Sequence, residues 1–131
     1  MSGEFDAVSY VLRAVAKANE VLIRLSQTVK ALPDVASVSQ RIEFRDYKTG
    51  PRMEAYVDAE LDSGKAVCWW LDLELGQDAW LLETSVRLST SEGQKTLWEG
   101  PNLIIDDVET LSSSLIKAAE GLAGLSTLRH E

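Results

Sequence analysis

Between Arg41 and Glu99 polar and apolar residues alternate, and only short turn-forming pieces, "KTGP", "DSG", "GQ" and "SEG", interrupt the pattern. A period of two sends successive side chains to opposite faces of a strand. Connections this short cannot carry a strand round to lie parallel to its neighbour, which takes a dozen residues or more. The runs 41–47, 52–61, 66–75, 79–90 and 94–99 must therefore follow one another as antiparallel hairpins. A five-stranded meander results.

Helical periods flank this block. Val8, Val11, Val15, Ala18, Leu22, Leu25, Val29 and Leu32 recur at steps of three and four, which predicts a helix over 5–32 that Pro33 ends. A thinner apolar line, Phe5, Leu12, Ala16 and Ile23, runs beside that stripe and reads as wider core contact or as a face for a second copy of the chain. After Gly100-Pro101-Asn102, Asp106 followed by Glu109 reads as a helix N-cap with its capping-box acid, giving a second helix over 107–124. Residues 126–131 read as a mobile tail. One sheet face and two amphipathic helices make an α+β two-layer sandwich, a single domain over 1–131 with both helices on the same face.

Loop length sets strand register, and register sets what the uncovered face displays. A four-residue connection 48–51 would place Arg45 opposite Glu54, Glu43 opposite Tyr56 and Arg41 opposite Asp58. The Asp62-Ser63-Gly64 loop places Tyr56 beside Trp70 and Glu54 beside Asp72. A two-residue Gly76-Gln77 turn would set Trp70 beside Glu83 and Asp72 beside Leu81. In this register Ile42, Phe44, Met53, Val57, Trp69, Leu71, Leu73, Trp80, Leu82, Val86 and Leu88 face the helices. Trp69 and Trp70, adjacent in sequence, then point to opposite faces.

The uncovered face thus presents Tyr56 and Trp70 within a frame of Glu43, Glu54, Asp58, Asp72, Glu74 and Glu83. Tyrosine and tryptophan are enriched in binding hot spots, and a ring of acids steers a basic partner. The pattern predicts a non-enzymatic module that binds a basic protein. A plainer account is that the Tyr–Trp pair only stabilises the sheet, by about 0.2–1 kcal/mol. Two alternatives use other surfaces. Trp69, Trp80 and Trp98 could line a cavity between helices and sheet for a small ligand, or the first helix or the outer sheet face could form a homodimer.

The balance of 13 basic against 21 acidic residues, a formal net charge of −8, argues against nucleic acid and anionic membrane surfaces as partners. The opening "MSGEFDAV" has no basic stretch and no apolar run is long enough to span a bilayer, so a cytoplasmic protein is expected. His130, the only histidine, falls in the expected tail, which leaves a Ser-His or Cys-His pair without a base. Cys68, the only cysteine, is placed on the outer face between Asp58 and Ser85, where carboxylates disfavour the thiolate. "DSGK" and "SEGQK" are hairpin turns that lead into no helix, and no Cys/His spacing suits zinc. Glu43 and Glu83 flank the aromatic pair, but a flat sheet face gives a carboxylate pair no water-excluding pocket for glycoside hydrolysis. No catalytic residue, metal or cofactor is expected. In size and acidity the chain is similar to small binding proteins of bacteria, such as toxin-neutralising immunity proteins and secretion chaperones. Its helix–five-strand–helix order departs from the usual secretion-chaperone order, in which a helix interrupts the strands.

Overall fold

The computed structural model describes residues 3–48, 50–76 and 78–130, with side chains from Val8 onward. The Phe5 side chain, Gln77 of the expected turn and Glu131 of the expected tail lie outside the described residues. The order is α1 (Gly3–Lys30), β1 (Val35–Tyr47), β2 (Gly50–Leu61), β3 (Ala66–Leu75), β4 (Trp80–Thr90), β5 (Gly93–Glu99), β6 (Leu103–Ile105) and α2 (Val108–Ala123). The sheet is antiparallel throughout, in the order β1-β2-β3-β4-β5, with β6 also on β4. This is the α+β sandwich that the periodicities dictate, with a long helix at each end of the chain.

Both helices press their apolar stripes onto one face. Leu22, Leu25 and Val29 of α1 and Leu111, Leu115 and Leu122 of α2 are fully buried against Val57, Trp69, Leu71 and Leu88 of the sheet. Trp69 is the largest fully buried side chain, and its indole Nε1 donates to the Leu125 carbonyl at 2.9 Å. That bond satisfies the one polar atom a buried indole carries. It also ties down the chain beyond α2.

Within the segment expected to be a mobile tail, Leu128 and Arg129 make contacts with the rest of the fold. Leu128 packs against the core, and Arg129 Nε donates to both carboxylate oxygens of Asp34 at 2.7 and 2.6 Å. Asp34 lies at the α1–β1 junction, and the Arg129 bond holds its pKa below the ordinary value. Composition suggested a free tail because the cation and its anion are ninety-five positions apart.

Other boundaries also move. β1 begins at Val35, six residues before the expected start, because Val35 to Gln40 keep pairing with the far end of β2 across a bulge between Val35 and Ser37. The N-cap of α2 is Asp107, not Asp106: its carboxylate accepts from the Thr110 amide at 2.8 Å and the Thr110 hydroxyl at 2.7 Å. β6 was not foreseen, since three residues are too few to show a period. It continues along β4 where β5 leaves off, and Gly100 makes the break. Its amide donates to the Thr84 carbonyl, and a Cβ there would collide with Thr84 Oγ1 and the Trp98 ring.

Two of the hairpin registers differ from expectation by two residues. Tyr47 pairs with Gly50, so the first turn is shorter than "KTGP" suggested. Gly50 takes φ +123°, and a Cβ there would collide with the Leu75 carbonyl; only glycine fits. Leu75 pairs with Trp80, so the third turn is longer than "GQ" suggested, and it closes through Gly76 N–H to the Ala79 carbonyl at 2.8 Å. A shift of two preserves which face each side chain occupies. The core therefore survives both errors, while cross-strand partners change.

Candidate functional site

The middle hairpin stands as the sequence requires, with Tyr56 opposite Trp70, Glu54 opposite Asp72 and Leu61 N–H donating to the Lys65 carbonyl at 2.8 Å. Around it the two corrected registers rearrange the outer face. Arg41, Tyr56, Trp70 and Ser85 form one row across β1 to β4. Glu43, Glu54, Asp72 and Glu83 form the next. Glu43 and Glu83, expected beside the aromatic pair, thus stand one row away, and four carboxylates line up across four strands. The expected pairs Arg45–Glu54 and Arg41–Asp58 are replaced by Arg45 opposite Arg52 and Ser39 opposite Asp58.

Like charges directly opposite one another oppose sheet formation, so the row needs compensation. Arginines supply it. Arg45 bonds Glu43 directly, Arg41 Nη1 lies 3.5 Å from the same carboxylate, and the Tyr56 hydroxyl donates to it at 3.0 Å. The Arg45 bond, then the Tyr56 bond, hold Glu43 below its ordinary pKa. Arg52 reaches Glu74 at 2.6 Å, Asp72 at 3.4 Å and Glu54 at 4.0 Å. Among the described residues Glu83 has no cationic partner.

The aromatic pair is capped by cations as well. The Arg41 guanidinium lies 5.2 Å from the Tyr56 ring centroid, and Arg87 lies 4.7 Å from that of Trp70. Arg52 stacks on Tyr47 at 5.2 Å. Such contacts are worth about 0.5–1 kcal/mol at exposed positions. The structure brings Arg41, Arg45, Arg52 and Arg87 together onto this face. Arg52 and Arg87 could have been found by parity alone, since they share the face of Tyr56 and Ser85. Tyr56 and Trp70 are half-buried, not free-standing.

Asp72 lies at the centre of the acid row and is only 1% exposed. Its Oδ1 lies 3.4 Å from Arg52 Nε as an ion pair but neither atom makes a hydrogen bond, and the Ser85 hydroxyl makes none either. Burial, first, and the carboxylates of Glu54, Glu83 and Glu74 raise its pKa to about 6 against the pull of Arg52. Cys68 pairs with Asp58 and Arg87, not Ser85. Burial and the Asp58 carboxylate push its thiol well above the ordinary range, which disfavours the thiolate. His130 is exposed and lies 3.7 Å from Asp34, on the helix-sheet margin and away from both cysteine and acid row.

Among the described residues the three tryptophans proposed for a cavity border different spaces. Trp69 is sealed in the core. Trp80 opens onto a cleft of about 540 Å³ with Val11, Val15, Phe44, Met53 and Leu73. Trp98 borders a separate space of about 220 Å³ with Leu82, Leu103 and Ala118. Phe44, expected in the core, is 69% exposed, because Val11 and Val15 stand across this open cleft from the end of β1. Among the described residues no cluster of His, Cys, Asp and Glu is arranged to hold a metal ion, and no helix is long and apolar enough to cross a membrane. No family model matches the chain, and no curated protein or solved structure is significantly similar to it.

Proposed function

We propose that the chain is a non-enzymatic binding module that holds a basic protein segment across the outer face of its sheet. The observation that carries this reading is the row Glu43, Glu54, Asp72 and Glu83, one carboxylate on each of four adjacent strands beside the Tyr56–Trp70 pair. Neighbouring strands are about 4.8 Å apart, so the row is a straight line of acids roughly 14 Å long. Basic side chains three and four positions apart on a helix are about 5–6 Å apart, close to that spacing. A basic helix lying across the strands matches the row at Glu43, Glu54 and Glu83, with Asp72 enclosed beneath it, and the aromatic pair packs against its apolar stems. The arginines hold the acids in place, and Glu83 is left to receive a cation. Asp58 and Glu74 extend the frame on either side.

A lysine-rich helical peptide, titrated while tryptophan fluorescence is followed, tests this. The expected result is saturable binding that weakens with salt and falls about tenfold or more in Trp70→Ala, the effect of losing a central aromatic anchor. Equal binding by wild type and a folded Trp70→Ala variant excludes the reading. A second reading, carriage of an apolar small molecule, is favoured by the Trp80 cleft alone. It predicts a fluorescence change lost in Trp80→Phe, whereas silence across a panel of apolar metabolites excludes it.

A further inference from the structure

The sheet has one long free edge. β1 runs thirteen residues and pairs only with β2, while the opposite side is split into β5 and β6 by the Gly100-Pro101 break. Native proteins protect free edges by keeping them short, or with proline, bulges or charged side chains; past its bulge near Ala36, β1 is long and free of proline and bulges through Tyr47, and its charges, Arg41, Glu43, Arg45 and Asp46, include both signs.

The helical layer is unfinished on the same side. Gln40 on β1 donates to Asn19 Oδ1 at 2.7 Å, so the flank of α1 that carries Asn19 overhangs this edge. Leu12, Ala16 and Ile23 lie seven, three and four positions from Asn19 and so share that flank. They are not absorbed by the core: Leu12 is 63% and Ile23 39% exposed, and Ala16 is exposed too. The other flank is occupied, since Ser112 of α2 donates to the Tyr10 carbonyl there. Beneath the overhang, Val38 and Ile42 on the helix side of β1 are only half-buried. Both layers therefore stop short at one boundary, with apolar side chains in each.

We propose that β1 and the adjoining flank of α1 are the contact surface for a second copy of this chain. The two β1 strands pair antiparallel about Ile42, making one continuous sheet with the two α1 helices side by side above it. Charge favours this occupant. On the outer side of β1 the signs alternate, Arg41, Glu43, Arg45. An antiparallel array about Ile42 sets Arg41 opposite Glu43 of the partner subunit, and the two-fold repeats the pair. Even-numbered residues of the two strands then meet on the helix side, so Ile42 meets its own copy at the axis, and Phe44 and Val38 lie opposite the polar Gln40 and Asp46 positions of the second copy. Pairing by the edge leaves Trp70 uncovered but shares Arg41 and Glu43 with the outer face, so the helix variants Leu12→Glu and Ile23→Glu, which touch neither residue, separate dimerisation from binding on that face.

Sedimentation equilibrium or light scattering of the full chain over a concentration series tests it. Wild type is expected to be a dimer. Leu12→Glu and Ile23→Glu, both at exposed positions that folding tolerates, bring a charge into the apolar seam and should each weaken dimerisation about tenfold or more. Arg41→Glu should weaken it through two like-charge contacts, and the double exchange Arg41→Glu with Glu43→Arg should restore it. A monomeric wild type overturns the proposal. So does a dimer indifferent to the helix variants, or one that Arg41→Glu leaves intact. Circular dichroism on each variant separates lost association from lost folding.

Discussion

Replacing Asp72 with asparagine should make the protein more stable at neutral pH. Asp72 is enclosed on the outer face, its Oδ1 has no hydrogen bond, and three carboxylates surround it. Its pKa rises from an ordinary 3.8 to about 6. At about 1.4 kcal/mol per pH unit, that rise means the ionised form costs up to about 3 kcal/mol of folding free energy above pH 6. The sign follows from proton counting. Between about pH 4 and 6 the folded chain holds a proton that the unfolded chain has released, so stability falls as pH rises through this window. Glu43, Asp34 and Asp107 act oppositely and lower down: their pKa values are depressed, so their contribution is present above the ordinary carboxylate range and is lost as pH falls through it. The Asp72→Asn substitution keeps the shape of the side chain and removes its charge, leaving Arg52 its bond to Glu74. Urea unfolding of both proteins from about pH 4 to 7 measures this directly. The variant should gain about 1–3 kcal/mol at pH 7 and lose the slope between pH 4 and 6. A variant no more stable than wild type at pH 7, with an unchanged slope, refutes the account of a desolvated carboxylate.

Gly100→Ala should destabilise the fold by about 1–3 kcal/mol, since the new methyl meets Thr84 and Trp98 where β5 gives way to β6; denaturant midpoints check it. Trp69→Phe removes the donor to the Leu125 carbonyl and should cost about 2–3 kcal/mol, with hydrogen exchange speeding most over 125–130. Cys68 should react with a thiol reagent at mildly alkaline pH only at a rate set by unfolding, because burial and Asp58 disfavour its thiolate; rapid labelling of the folded chain contradicts this.

Facing was legible in the sequence, and register was not. The alternation that sends Trp69 inward and Trp70 outward depends on parity, which a turn longer or shorter by two residues leaves intact. The turns themselves depend on backbone conformation at single residues. Gly50, read as one of four loop residues, instead pairs in the strand at positive φ, because the Leu75 carbonyl crowds it. That crowding is a long-range contact, invisible in "KTGP". The same limit hid the acid row, which exists only once two registers have moved, and the bond from Arg129 to Asp34. Phe44 and Trp80 were assigned to the core by parity alone, which says nothing of how far a helix extends over its sheet. The arginines of the outer face are the opposite case: parity alone places Arg52 and Arg87 beside Tyr56 and Ser85.

The outer face as the place where a basic segment docks is the claim on which the functional account turns. A nitrogen-15 correlation spectrum of the chain, titrated with a lysine-rich helical peptide, tests it most directly. The account predicts shifts concentrated at Glu54, Tyr56, Trp70, Asp72 and Glu83 and at the Trp70 indole, growing smaller as salt is added. Shifts gathered instead around Phe44 and Trp80, or a spectrum that the peptide leaves unchanged, would contradict it.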